Sequence, residues 1–236
     1  MPDHIRSFVL IISAGCLLAC SHAGNDKNAP AETDFNAKTL IKSDIDTVLD
    51  IHIRQARSYL RELMIKLYRR NPRELKKTRL GINENLQRMF HGTGSLKFHE
   101  LGKKRQGDAI HLAFDENYQG DRVFAFMAGL TSIVMASYNY QQEFFMLDHA
   151  DPQKLYNSAR NIEIAVWKLE HDRDSHGELF IYSNSLPDEV SNLSYERLFG
   201  KLIATQDTIA QIIADRSNRT IKKVIQQMAT AVFLPI

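Results

Sequence analysis

Residues 123–142 read VFAFMAGLTSIVMASYNYQQ and contain no charged side chain. At helical spacing, one side of the expected helix carries Phe126, Met127, Leu130, Ile133, Val134 and, just past this stretch, Phe144, and the other carries Ala125, Ala128, Gly129, Ser132 and Ala136. A helix that is apolar or small all round is buried on every side. The stripe of small residues allows a neighbouring backbone to approach closely. The run is as long as a membrane span, about 20 residues. Thr131, Ser132, Ser137, Asn139, Gln141 and Gln142 make it too polar for that role. It is expected to be a central core helix, capped by Gly120-Asp121 and running over 122–147.

Helical periodicity extends on both sides. Upstream, Ile45, Val48, His52, Ala56, Tyr59, Leu63 and Leu67 recur at steps of three and four, which predicts a helix from about Lys38 to about Arg70. His52 lies on its apolar stripe and reads as a hydrogen-bonded core residue. Asn71-Pro72-Arg73-Glu74 is a helix start, with a cap residue, Pro at the first position and Glu three after the cap. A short basic helix should end near Gly81, and 83–90 suggests another helical turn. The stretch 91–120 is the least regular. Gly92-Thr93-Gly94-Ser95 reads as an exposed turn, and Ala109 to Phe114 as a short strand or packed loop. Downstream, Asp151-Pro152 opens a helix marked by Leu155, Ala159, Ile162, Val166 and Leu169. Leu179-Phe180-Ile181-Tyr182 suggests a short strand. Ser194 is expected to cap a last long helix whose buried face runs from Leu198 through Ile213 to Thr220, Val224, Met228 and Ala231, with a kink or break at 216–219. The expected fold class is therefore all-α: a helical bundle of about four to six helices around one long buried helix, with minor irregular or short β segments.

The chain has 236 residues, 44% hydrophobic and 25% charged, which suits a globular body with a real core. Its two cysteines both lie within the first twenty residues. There, after a polar start, Phe8 to Leu18 forms an uncharged, mainly apolar run. That run is too short for a resident span and has the length of a signal-peptide core. It ends in Leu17-Leu18-Ala19-Cys20, which resembles a bacterial lipobox, with Leu17, Ala19 and Cys20 matching the pattern. The resemblance implies a lipoprotein signal peptide over 1–19. Cys20 would become the mature terminus, carrying a thioether-linked diacylglycerol and usually an N-acyl chain. Ser21, where an Asp would be an inner-membrane retention signal, implies delivery to the outer membrane of a Gram-negative cell, facing the periplasm. The body likewise resembles uncharacterised proteobacterial lipoproteins. Once Cys16 is removed and Cys20 acylated, no thiol remains for disulfides, catalysis or metal ligation. Residues 20–35 are polar, with Gly, Pro and Ala, and form a flexible tether reaching about 20 Å. Residues 36–236 form the single helical domain.

Catalytic signatures are absent: the chain has no G-x-S-x-G, Walker loop, G-x-G-x-x-G or H-E-x-x-H. No cofactor is expected. Asp172-x-Asp174-x-His176-Gly177 resembles the first half of a calcium loop, so Asp172, Asp174 and Glu178 are a weak metal candidate. His176 stands at the fifth place, however, and Ser183 at the twelfth, where calcium loops carry oxygen ligands and a bidentate Glu. Glu100 and Asp108, in the irregular stretch, are the carboxylates a hydrolase reading would use. Net charge is only +2, yet between Arg54 and Arg79 ten basic residues face Glu62 and Glu74 alone. Arg57, Arg61, Arg69, Arg70, Arg73, Lys76 and Lys77 are the expected partner-binding face. The opposing expectation is that they pair internally with Asp172, Asp174, Asp188 and Glu189. Lys103-Lys104-Arg105 forms a second basic run. In the periplasm such charge attracts anionic lipids, glycans or acidic envelope proteins, while the compartment excludes nucleic acid. The sequence thus points to a membrane-moored, non-enzymatic scaffold or accessory subunit, or alternatively to a small-ligand or lipid-binding protein.

Overall fold

The computed structural model describes residues 43–91, 96–145, 148–184, 186, 189–190 and 192–236. All of them fall in one compact unit, Ile41–Ile236. The leader, Cys20, the tether, the turn at 92–95 and Asp188 lie outside the described residues.

Among the described residues the fold is all-α. The helices are α1 (Asp44–Arg70), α2 (Pro72–Thr78), α3 (Ile82–Phe90), α4 (Gln106–Ala113), α5 (Arg122–Ser137), α6 (Pro152–His171) and α7 (Ser194–Ser217), with single 3₁₀ turns at His99–Leu101 and Met228–Thr230. The expected β segments reduce, among these residues, to one antiparallel bridge between Arg173 and Leu179. No described helix is long and apolar enough to cross a membrane.

The uncharged helix is the centre of the bundle. In α5 every residue from Val123 to Ser137 is buried, and α1, α4 and α6 pack against it, with α7 closing on α1 and α6. Burial of each large apolar side chain here contributes about 2 kcal/mol. The Asp121 carboxylate caps the first turn by accepting from the Phe124 amide at 2.9 Å. The helix is shorter than its sequence pattern suggests, because Asn139 takes a left-handed conformation (φ 53°). The amides of Asn139 and Tyr140 donate back to Ala136 and Met135 at 2.9 and 2.7 Å. This is a Schellman stop, in which Asn is the usual substitute for Gly. Beyond it, the buried carboxylate of Asp50 accepts from the Phe144 amide at 2.8 Å and pins the returning loop to α1.

The stripe of small residues on α5 receives α4, which forms where the sequence suggested a strand or loop. A Cβ on Gly129 would lie 2.5 Å from Ile110 Cγ1 and 2.7 Å from the Gln106 carbonyl oxygen, so only glycine permits this approach. Ser132 Oγ accepts from the Gln106 amide at 2.5 Å and donates to the Gly129 carbonyl at 2.9 Å. Tertiary packing against small residues, rather than local periodicity, makes residues 106–113 helical.

One cap and one boundary differ from expectation. Asn71 opens α2 without capping it through its side chain. Its amide instead donates to the carbonyls of Leu67 and Tyr182 and its oxygen accepts from the Tyr182 amide, all at 2.8 Å. The last helix stops at Ser217, because Asn218 is left-handed (φ 50°). Val224 is 39% exposed rather than part of a buried helical face. Residues beyond 218 run as an irregular tail along α6, whose polar residues bind its backbone. Gln153 exchanges bonds with Lys222 (2.7 and 3.1 Å), Asn157 donates to the Pro235 carbonyl (2.9 Å), and Asn161 clamps Leu234 through both its groups (2.6 and 2.8 Å).

Candidate functional site

The basic stretch of α1 and α2 is largely built into the fold. The Arg57 guanidinium donates to the Phe90 carbonyl, and Arg61 lies over the Phe90 ring at 5.6 Å. Arg70 pairs with Glu189. Arg73 reaches the Phe180 carbonyl at 3.2 Å and the Tyr182 ring at 5.1 Å. Lys77 binds both oxygens of Glu74, at 2.8 and 3.0 Å, and the Gly120 carbonyl at 3.1 Å. Of the seven expected contact residues, Arg69 and Lys76 remain exposed with no side-chain partner among the described residues. The stretch therefore does not present one continuous free face.

Its centre is a buried acidic node at the start of α5. Glu74 is 2% exposed. Besides holding Lys77, it accepts from the Arg122 amide at 2.8 Å. Its neighbour Asp121 accepts from the Tyr68 hydroxyl at 2.8 Å. Burial raises the Asp121 carboxyl to about 6, despite the opposing bonds from Phe124 and Tyr68, and the charge of Glu74 adds to the rise. Burial also drives the Tyr68 hydroxyl far above its ordinary range. This network joins α1, α2 and α5 and is a structural knot.

The other sequence candidates are placed as follows. Asp172 pairs with Lys168 on α6. Asp174 Oδ1 accepts from the amides of His176 and Glu178, both at 2.9 Å, closing its own turn, with Gly177 at φ 81°. Glu178 accepts from the Tyr182 hydroxyl at 3.2 Å. Among the described residues, no cluster of three or more His, Cys, Asp or Glu is arranged to hold a metal ion. Arg73, Lys77 and Arg122 share a hollow of about 350 Å³ with Glu116 and Asp174, so opposite charges meet there. Glu100 is engaged by Arg88 and Asp108 lines a different cleft, so the structure does not bring those two carboxylates together. His52 is half-buried, and burial lowers its pKa against a smaller opposing effect from the Thr205 backbone.

The second basic run forms the site that stands out. The 3₁₀ turn His99–Leu101 ends at Gly102 (φ 58°), whose amide returns to the His99 carbonyl at 2.9 Å. The amide of Lys103 returns to the Phe98 carbonyl at the same distance. Phe98 is locked edge-on to Phe124 of the core helix at 4.8 Å. Lys103 (φ 61°) and Gln106 (φ 49°) are held in the left-handed region, which costs a residue with a side chain about 1 kcal/mol each. Lys97, Lys103 and Lys104 are all exposed. Lys97, Lys103 and Lys104 make no side-chain hydrogen bond or ion pair among the described residues.

These lysines and Arg105 line one side of a cleft of about 650 Å³, where Asp108 is the one carboxylate. The opposite side is the C-terminal tail, Val232 to Pro235. Its position is fixed by the Asn157 and Asn161 bonds and by the Phe233 ring on Gly107, where a Cβ would come within 2.6 Å of that ring. His111 stacks edge-on to Phe233 at 5.2 Å. Burial, assisted by the charge of Lys168, lowers the His111 pKa, so the imidazole adds little positive charge at neutral pH. Arg105 lies over the Tyr140 ring at 5.2 Å. Sequence reading noted the Lys103-Lys104-Arg105 run but not Lys97, nor the tail that completes the cleft. The amide-bearing stripe of Gln153, Asn157 and Asn161 on α6 was the available signal that a backbone segment docks there. Comparison with protein-family models, with curated proteins and with solved structures gave no match for this chain.

Proposed function

We propose that the chain is a lipid-anchored envelope protein, moored through an acylated Cys20 at the periplasmic side of the outer membrane, that works by binding rather than catalysis as a scaffold or accessory subunit. The observation that carries this reading is the apolar leader ending in Leu17-Leu18-Ala19-Cys20. Two or more acyl chains give a stable anchor, because each buried methylene contributes about 0.8 kcal/mol. The helical body supports a binding role: three lysines without a side-chain partner among the described residues, Lys97, Lys103 and Lys104, gather at one cleft. Growth with a clickable palmitate analogue should label the wild-type chain, and Cys20→Ser should abolish both the label and recovery with the outer-membrane fraction. An unlabelled wild-type chain would defeat the anchor. Crosslinking in intact cells should then capture an envelope partner, and loss of that partner in an Arg69→Ala, Lys76→Ala variant would assign the contact to α1 and α2.

A second reading, a small-ligand-binding lipoprotein, is favoured by the cationic cleft. A hydrolase is disfavoured by the separation of Glu100 from Asp108 into different clefts.

A further inference from the structure

We infer that the cleft between the 97–105 loop and the C-terminal tail is a binding site for a phosphate monoester, with the phosphate held by Lys97, Lys103, Lys104 and Arg105. The inference rests on the chain being a binding protein and does not depend on the lipid anchor.

Four cations converge on a concavity with a single opposing carboxylate, Asp108. Three of them, Lys97, Lys103 and Lys104, have no partner among the described residues, in a molecule that otherwise engages many of its cations with carboxylates, carbonyls or rings. Like charges brought together repel, and that cost is recovered when an anion enters. A phosphate monoester carries about −1.5 to −2 charge at neutral pH and three acceptor oxygens, which matches a multi-cation cradle better than a carboxylate does. The site is held in shape before any ligand arrives. Gly129 and Ser132 fix the start of α4, left-handed Lys103 and Gln106 aim the loop, and Asn157 and Asn161 hold the facing tail. Such preorganisation reduces the ordering cost of binding.

The facing side is apolar, made by Val232, Phe233, Leu234 and Pro235, and Val232 is 68% exposed. The same phosphate chemistry therefore has two sources: a free phosphorylated solute, or a lipid headgroup whose hydrocarbon lies on the tail.

The test is calorimetric titration of the purified full chain with inorganic phosphate, n-octyl phosphate below its aggregation concentration, and n-octyl glucoside as the uncharged control. The phosphates should bind and the glucoside should not. Octyl phosphate binding about tenfold tighter than inorganic phosphate assigns a lipid headgroup, and equal affinity assigns a soluble phosphate; a tenfold step corresponds to about 1.4 kcal/mol. The double variant Lys103→Ala, Lys104→Ala should lose at least about tenfold in affinity with its melting temperature unchanged. The charge-matched variant Arg54→Ala, Arg197→Ala, at exposed positions of α1 and α7 outside the cleft, should retain wild-type affinity. Absence of phosphate binding by the wild type, or an equal loss in both double variants, would overturn the inference.

Discussion

Two stretches of this chain are equally basic to the eye, residues 54–79 and residues 97–105, and the structure treats them in opposite ways. The first lies on α1 and α2, which pack against α5, α3 and the 179–184 segment, so most of its cations meet a carbonyl, carboxylate or aromatic ring within reach. The second lies on a loop whose left-handed residues turn its side chains outward, and its lysines meet no partner among the described residues. Charge density along a sequence thus does not identify a binding surface. What identifies one is charge left unpaired after the fold has used what it needs.

This contrast can be broken experimentally. If the first stretch is structural, removing its acidic centre should be severe. Glu74→Ala leaves Lys77 and the Arg122 amide without their carboxylate and should cost about 3 kcal/mol in urea denaturation. A loss below about 1 kcal/mol would mean that the basic stretch is not held by this node.

The second stretch depends on the core beneath it. Gly129→Ala pushes a methyl into Ile110 and the Gln106 carbonyl and should cost about 2 kcal/mol. Because α4 must shift, the variant should also weaken phosphate binding. Full affinity in a destabilised variant would show that the cleft does not require this packing.

Asp121 sharpens the contrast through pH. Its carboxyl is raised to about 6 by burial, so between its ordinary value and that point the native state holds a proton that the unfolded chain releases. Stability from this group is therefore full at low pH and is lost as pH rises through about 6. Asp121→Asn removes the titration and keeps an acceptor for the Phe124 amide. From about pH 5 to about pH 7.5 the variant should gain about 1.5 kcal/mol relative to wild type. A pH-independent difference between the two proteins would sink this account of the knot.

The smallest effect is expected at the cleft itself. Lys103→Ala with Lys104→Ala removes no side-chain hydrogen bond or ion pair among the described residues and should change stability by less than about 0.5 kcal/mol. A drop of 2 kcal/mol would show these lysines to be structural after all, erasing the distinction between the two stretches.

How far the sequence could be read follows from where each instruction resides. The cap and Pro at Asp151-Pro152 are local chemistry, and α6 begins there as read, Asp151 accepting from the Gln153 amide at 2.8 Å. The stop at Asn139 is also local, but its polar neighbours looked like continued helix until the left-handed residue was seen. The stop at Asn218 is similar, since Val224 and Met228 keep helical spacing beyond a break that the sequence left open. The helix at 106–113 was not legible, because its cause lies on another segment, in the room left by Gly129 and the hydroxyl of Ser132. For the cleft, the sequence showed Lys103, Lys104 and Arg105 but not Lys97 or the tail. Nothing local says that residues 232–235 return across more than a hundred positions to face them.

By itself the sequence determined that this is a helical protein with a fully buried, uncharged centre, since an apolar-and-small helix has no stable place except inside. It also set which residues carry its positive charge. Only the tertiary structure decided which of those charges are spent, because pairing depends on distances between segments far apart in the chain, and a side chain's freedom is a property of what surrounds it rather than of its own identity.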